Sequence, residues 1–184
     1  MRRRTVLAGA VTALVLVLTG CGSDNPKPSR PASSSASPSA SPSAVAPTMP
    51  AEAKGTGPEA AKAFVRLFVE RLNFAGAHGD TEAFRELFTN GCRACIGVAD
   101  FIDKTYSNGG EIRGSGWHAL TVRAGDIQSK RIKVDALVRV AEQDVIPEAS
   151  AEPQHFDGAA RVMKHFRLAQ SEGGWKVAGI ESRR

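Results

Sequence analysis

The chain has 184 residues, of which 42% are hydrophobic, and a formal net charge of +5 at pH 7. Residues 1–20 contain three Arg and no acidic residue, so the remainder of the chain carries a net charge of only +2. No stretch interleaves Lys or Arg with aromatic residues, which excludes the electrostatic footprint of a nucleic-acid-binding protein. About 130 residues follow the low-complexity N-terminal region, and this length predicts one domain with its own core.

The first 20 residues have the pattern of an export signal. Three arginines at 2–4 form a positive n-region, and residues 6–18 form an uncharged apolar segment. That segment is shorter than the ~20 apolar residues that a membrane-spanning helix requires. The Leu-Thr-Gly-Cys sequence at 18–21 resembles the bacterial lipobox, whose cysteine is acylated and becomes the mature N-terminus. The resemblance implies a lipoprotein signal peptide over 1–20 and acylation, for example by palmitate, of Cys21. It also implies an anchor in the cell membrane and a domain on its extracytoplasmic face.

Residues 21–54 are dominated by Ser, Ala and Pro, with a repeated Ser-Ala-Ser-Pro sequence at 35–42. A segment with so few large apolar residues cannot bury enough surface to offset the conformational entropy of the chain. We therefore expect a disordered tether over 21–54, followed by a single folded domain over 55–184.

The first half of this domain has the apolar periodicity of helices. Apolar residues between 64 and 75 recur at spacings of three and four, and Thr-Gly-Pro-Glu at 56–59 has the pattern of a capping box. Asp80 is predicted to cap a short second helix whose apolar residues lie at 84–88. A third helical segment is predicted over 96–107.

The second half of the domain alternates apolar and polar residues with the period of strands. The clearest strand is predicted over 131–140, with others over 117–124, 161–169 and 175–180. Helices followed by antiparallel strands predict an α+β domain in which three helices pack on one face of a curved sheet.

Cys92 and Cys95 form a Cys-x-x-Cys pair. In an oxidising compartment a structural disulfide is the default, and thiol-disulfide exchange and zinc binding are the alternatives. Redox motifs of this kind follow a strand and open a helix, whereas this pair follows a predicted helix. Zinc would need two further ligands. We predict a structural disulfide and expect no metal or cofactor, with the redox and zinc alternatives left open.

The order of the predicted elements resembles the cone-shaped, cystatin-like fold of nuclear transport factor 2 (NTF2) and ketosteroid isomerase. The helix at 64–74, the Cys-x-x-Cys pair and the Gly-Gly-Trp-Lys-Val sequence at 173–177 also resemble lipoproteins of high-GC Gram-positive bacteria. Those lipoproteins join a lipobox, a Ser/Pro tether and such a domain. The resemblance implies a pocket between the concave face of the sheet and the helices.

The candidates for this pocket are His118, Leu120 and Tyr106. His118 shares strand parity with Leu120 and is therefore expected to point inward, and Tyr106 is the only tyrosine of the chain. The acidic base and tyrosine-centred oxyanion site of the isomerase have no counterpart that the sequence can assign. Asp135 lies on the polar side of its strand, where a solvated role is favoured. We therefore assign no catalytic residue.

The connection at 142–158 is long for a hairpin, and long connections are usually functional or mobile. It carries Val145, Ile146 and Phe156, which are candidates for a partner-binding loop.

Together these features favour a non-enzymatic binding or interaction module of the cell envelope. Its partner would be another envelope protein or a small apolar ligand. A small-pocket enzyme of the ketosteroid-isomerase-like fold is the alternative, and a thiol-disulfide redox protein is a less favoured one. A pocket filled by Phe and Trp would favour the binding module, whereas an acid facing an inward His118 would favour the enzyme.

Overall fold

The computed structural model describes residues 44–183. The predicted signal peptide, Cys21 and most of the predicted tether lie outside the described residues. Within them, no helix is both long enough and apolar enough to cross a membrane.

The helical layer consists of α1 (Pro58–His78), α2 (Glu82–Arg85) and α3 (Arg93–Ser107). The predicted capping box at the start of α1 is wrong. The N-cap is Gly57, which makes no side-chain cap hydrogen bond, and Pro58 supplies a φ angle suited to the first helical turn. The N-cap of α2 is Thr81, one residue after the predicted Asp80. The Asp80 carboxylate nevertheless accepts a hydrogen bond from the backbone N–H of Glu82, the first residue of the helix, at 3.0 Å.

Seven strands form two antiparallel sheets. The larger sheet has the order β2-β3-β6-β7 and the smaller sheet has the order β1-β4-β5. The strands are β1 (Glu111–Gly114), β2 (Trp117–Ala124), β3 (Arg131–Val140), β4 (Gln143–Ile146), β5 (Gln154–Phe156), β6 (Ala159–Ser171) and β7 (Gly174–Arg183). Three helices on antiparallel sheets confirm the predicted α+β class.

The connection at 142–158 contains β4 and β5, so its interpretation as one long irregular loop is wrong. The β1–β4 pair continues the β2–β3 pair beyond a bend at 115–116. At this bend Gly116 has a φ of 68°, and a Cβ there would lie 2.2 Å from Oδ1 of Asn73 in α1. Only glycine fits a bend with this conformation and this close approach.

One face of the four-stranded sheet packs against the helices, and we call it the inner face. It carries the fully buried side chains Ile132, Val134, Ala136, Val138, Phe166, Leu168 and Val177. The buried face of α1, which includes Phe64, Leu67 and Phe68, packs on it and completes the core.

Ordered contacts with the domain begin before residue 55. Ala53 is 2% exposed, and Met49 packs against the core. The charged side chain of Arg71 in α1 is also buried. Its Nε donates to the carbonyl of Pro47 at 2.9 Å and its Nη1 donates to Glu86 at 3.0 Å.

Candidate functional site

At one end of the inner face, aromatic rings fill the space between α1 and the sheet. The ring of Phe68 makes edge contacts with Phe84 and Phe166, at centroid distances of 5.0 and 5.4 Å. Trp175 is 2% exposed, and its indole N–H donates to the carbonyl of Gly57 at 3.3 Å. We call this region the covered end. It occupies the place where the resemblance to the isomerase implied a pocket.

The opposite end of the inner face lies where β2 and β6 begin and where β3 and β7 end. Here the apolar side chains are only half-buried against the core. We call this region the open shelf, and it consists of Trp117, Ala119, Val140, Val162, Lys164 and Ser182.

Lys164 is the charged residue of the open shelf. Its strand partners are Ala136 on β3 and Ser182 on β7, and this register places its side chain on the inner face. The ammonium donates to the Ser182 hydroxyl at 2.8 Å and lies 4.3 Å from the centroid of the Trp117 ring. Because Trp117 lies on β2, two strands away from β6, the lysine side chain reaches across β3.

The amine of Lys164 lies in partly buried surroundings that disfavour its charge. Burial lowers the pKa of its amine below the ordinary 10.5, because desolvation disfavours the charged form. No carboxylate side chain within residues 44–183 forms an ion pair with it. Sequence reasoning missed this residue. The available signal was a lysine at an inward position in the alternation Val162, Lys164, Phe166.

Trp117 is held in place by α1. The Asn73 side-chain amide donates to the Trp117 carbonyl at 2.8 Å, and its oxygen accepts from the Trp117 backbone N–H at 2.8 Å. Both backbone polar groups of Trp117 are therefore satisfied by one side chain. This arrangement fixes the start of β2 and with it the position of the indole ring.

The predicted inward orientation of His118 and Leu120 is wrong. A β-bulge lies between Ala119 and Thr121, and it inverts the parity that the alternation of β2 predicts. Trp117 and Ala119 face the core instead. Leu120 is 50% exposed, and the hydrogen-bond partner of the His118 ring among the described residues is the Ser115 hydroxyl, at 3.1 Å.

Tyr106 forms part of the helical framework and does not join His118 in one site. Its hydroxyl donates to the carbonyl of Gly76 at 2.7 Å and accepts from the backbone N–H of Ile112 at 3.4 Å. These bonds connect α3 with α1 and β1, so the tyrosine oxygen is fully engaged in structural contacts.

The three candidates for a binding loop lie in different environments. Val145 is 4% exposed and belongs to the buried side of β4, so it offers no surface to a partner. Ile146 is half-buried, whereas Phe156 on β5 is 50% exposed. These residues therefore do not form one apolar contact surface.

A histidine links the two strands of this hairpin. His155 Nδ1 lies 2.8 Å from Asp144 on β4, and Nε2 lies 3.7 Å from Asp157. The hydrogen bond with Asp144 is the main cause that raises the pKa of His155, with smaller contributions from the charges of Asp144 and Asp157. Two of the acids in the 142–158 segment are thus engaged within the chain.

Asp135 lies on the outer face of the sheet, as the strand pattern predicts, and its carboxylate is 2.7 Å from His165 Nδ1. The pair is partly exposed and has no neighbouring nucleophile among the contacts of these two side chains.

Cys92 and Cys95 are joined in a disulfide, with an S–S distance of 2.08 Å. Cys92 is the N-cap of α3 and Cys95 lies in its first turn, so this pair does open a helix. The pair follows α2 and not a strand, so its position meets only half of the pattern of a redox motif. Burial also counts against redox chemistry, because both residues are at most 1% exposed and exchange requires an accessible sulfur.

Comparisons with known proteins identify similar structures and a sequence family. No protein of curated function matches the sequence. The domain is similar to the intermembrane-space region of the chloroplast protein ARC6, with 14% identity over 70% of this chain and 97% of that chain and a TM-score of 0.53. It is also similar to a cystatin-like protein from Caulobacter vibrioides, with 10% identity over 64% and 84% of the two chains and a TM-score of 0.41. A third similar structure is an NTF2-like protein from Shewanella baltica, with 15% identity over 71% and 99% of the two chains and a TM-score of 0.38.

At 14% identity the similarity to the ARC6 region concerns the fold alone, and the other two structures are themselves described as cystatin-like and NTF2-like. The sequence pattern of a family matches residues 29–181, which is most of the chain. The chain belongs to this family, the family of unknown function DUF6318.

Proposed function

We propose that this chain is a non-enzymatic binding module of the cell envelope, held on the extracytoplasmic face of the membrane by a lipid on Cys21. The observation that carries the binding role is the packing of Phe68, Phe84 and Phe166, which closes the interior of the cone. A ligand or partner is therefore met at the surface, and the open shelf is a part of the inner face whose apolar side chains remain partly exposed.

Catalysis would require more than the candidate residues offer. Acid-base chemistry needs a group of tuned pKa held against a second oriented group. His118 faces outward, and the hydrogen-bond partner of its ring among the described residues is a serine hydroxyl. Binding needs contact area and a few placed polar groups, and the open shelf supplies both.

The proposed anchor rests on the Leu-Thr-Gly-Cys sequence at 18–21 and on the composition of the segment that follows it. As a flexible coil, residues 22–46, which precede the contact of Pro47 with Arg71, would span roughly 25–30 Å. Such a tether would keep the domain close to the membrane surface and leave it free to turn its shelf toward a ligand or partner.

Complementation of a deletion strain at matched membrane abundance tests the binding role. We expect His118→Ala to retain full function and Val162→Glu, which places an acid on the open shelf, to lose it. Met163→Glu is the matched control, because the adjacent side chain points to the outer face. Loss of function with His118→Ala and full function with Val162→Glu would reject the module and favour a histidine-dependent enzyme.

Mass spectrometry of the membrane fraction tests the anchor separately. We expect a mature chain that begins at an acylated Cys21, and we expect Cys21→Ser to leave the membrane fraction. An unmodified Cys21 still joined to residues 1–20, or a Cys21→Ser chain that remains lipid-bound, would contradict the proposed anchor.

A further inference from the structure

We infer that the open shelf binds an amphiphile, an apolar chain with a single anionic head group, and that Lys164 binds the head group. This inference rests on the proposed binding role and specifies the class of ligand. Four observations carry it, namely the face on which Lys164 lies, its partners, the apolar side chains around it and the distribution of charge over the sheet.

The first observation is that Lys164 lies on the face of the sheet that forms the core. Its cross-strand partner Ala136 is 0% exposed, and the next inward residue along β6 is Phe166, also 0% exposed. A charged amine at such a position loses hydration, and an uncompensated loss of this kind is unfavourable. An anionic ligand would supply the compensating charge.

The second observation is that the ammonium is held but not neutralised. Ser182 accepts one of its three N–H bonds, and the Trp117 ring lies beneath it at cation-π distance. Both partners are neutral. The ammonium is therefore oriented over the inner face with donors left for a carboxylate or phosphate oxygen.

The third observation concerns the apolar part of the shelf. Trp117, Val140 and Val162 are partly buried side chains that lie on the same face as Lys164 and pack against the core. An alkyl chain could pack along these side chains. Burial of apolar area contributes about 25 cal/mol per Å², so this contact would supply most of the affinity.

The fourth observation is the distribution of charge between the two faces of the sheet. The outer face of the described strands carries many cations, which are Arg123, Arg131, Lys133, Arg139, Arg161 and Arg167. Along the inner face of the same strands, Lys164 is the single charged residue. One isolated cation within an apolar surface matches one anionic head on an apolar chain, whereas the outer face presents charges of both signs, including Asp135 and Glu181.

The test uses the mature chain, residues 21–184, with Cys21→Ser so that its own acyl chains cannot compete for the shelf. Dodecanoate, dodecyl phosphate, dodecanol and dodecyltrimethylammonium are titrated below their micelle concentrations. Binding is followed by the fluorescence of Trp117 and by the backbone amide shifts of 162–164. A Trp117→Phe chain shows which part of the fluorescence signal comes from Trp117.

We expect at least one of the two anions to bind tenfold or more tightly than dodecanol, and the trimethylammonium compound to bind most weakly. Lys164→Met should remove the preference for the anion over dodecanol. Lys133→Met, on the outer face, is the matched control and should keep that preference. Tighter binding of dodecanoate would assign a fatty-acid head group, and tighter binding of dodecyl phosphate would assign a lipid phosphate.

Equal affinities for dodecanoate, dodecyl phosphate and dodecanol would overturn the inference. An anion preference that survives Lys164→Met, or amide shifts centred on Lys133 and Arg167, would overturn it as well. Absence of binding by all four probes would also reject the amphiphile, while the binding-module proposal would still be decided by the Val162→Glu complementation.

Discussion

The two ends of the inner face are built from the same strands and differ in what covers them. At the covered end, Phe68 of α1 contacts both Phe84 of α2 and Phe166 of β6, and each of these side chains is at most 1% exposed. At the open shelf, the helices leave Trp117 and Val162 half-buried and a lysine takes the place of an apolar side chain.

The difference separates residues that stabilise the fold from residues available for binding. Dense packing of aromatic rings contributes free energy of folding and leaves no volume for a ligand. A half-buried apolar surface with an isolated ammonium contributes less to folding and presents both contact area and charge. The same sheet therefore serves stability at one end and, in our proposal, recognition at the other.

The largest effect should come from the centre of the covered end. Phe68→Ala removes a ring that contacts two other rings and leaves a cavity between α1 and the sheet. Substitutions of this kind lower the free energy of unfolding by about 3–5 kcal/mol. Urea unfolding followed by circular dichroism measures the change.

A matched pair of valines controls for residue type. Val134 is fully buried at the covered end and Val162 is half-buried on the open shelf, and both lie on the inner face. Val134→Ala should lower the free energy of unfolding at least twice as much as Val162→Ala. Equal losses of unfolding free energy would mean that the two ends are packed alike, which would contradict the proposed difference between them.

The disulfide at the start of α3 should have an intermediate effect. The loop that it closes is short, so it restricts the unfolded chain only weakly, and its removal by Cys92→Ala with Cys95→Ala should cost about 2 kcal/mol or less. Alkylation of freshly isolated protein without reductant should leave both thiols unlabelled. Full labelling of both residues would show that the pair is reduced and would reopen the redox alternative.

The fold class could be predicted from the sequence because the buried residues recur with the spacing of helices and strands. The spacing of Phe64, Leu67 and Phe68 in α1 and the alternation of β3 and β6 are set by burial, which the sequence displays directly. The three helices and the four strands of the larger sheet were therefore predicted, with boundaries that shift by a few residues at their ends.

The site residues were not predictable in the same way. The bulge at Leu120 inserts one residue into β2, and no residue type in Ala119-Leu120-Thr121 distinguishes a bulged strand from a regular one. The short strands β4 and β5 were missed because four and three residues give too little alternation to identify. Lys164 had a visible signal, but its significance depends on Ser182 and Trp117, which only the tertiary structure brings to it.

The smallest effect, and one of opposite sign, is expected from Lys164→Met. The substitution keeps most of the side-chain volume and removes a charge that lacks an acidic partner among the described side chains, so it should raise the free energy of unfolding by between zero and about 1 kcal/mol at pH 7. The folded-state pKa of Lys164 lies below the ordinary 10.5, so between these two values the unfolded chain binds more protons than the folded chain. The charged amine lowers the free energy of unfolding, and this loss disappears as the pH rises through this window.

The advantage of Lys164→Met over the unsubstituted chain should accordingly be largest near neutral pH and vanish above pH 10.5. Urea unfolding of both chains at a series of pH values measures it, and the difference between them cancels the titration of the groups they share. A variant that is less stable than the unsubstituted chain at pH 7 would show that Lys164 stabilises the fold through Ser182 and Trp117. In that case the open shelf would be a second structural region, and the contrast with the covered end would lose its functional meaning.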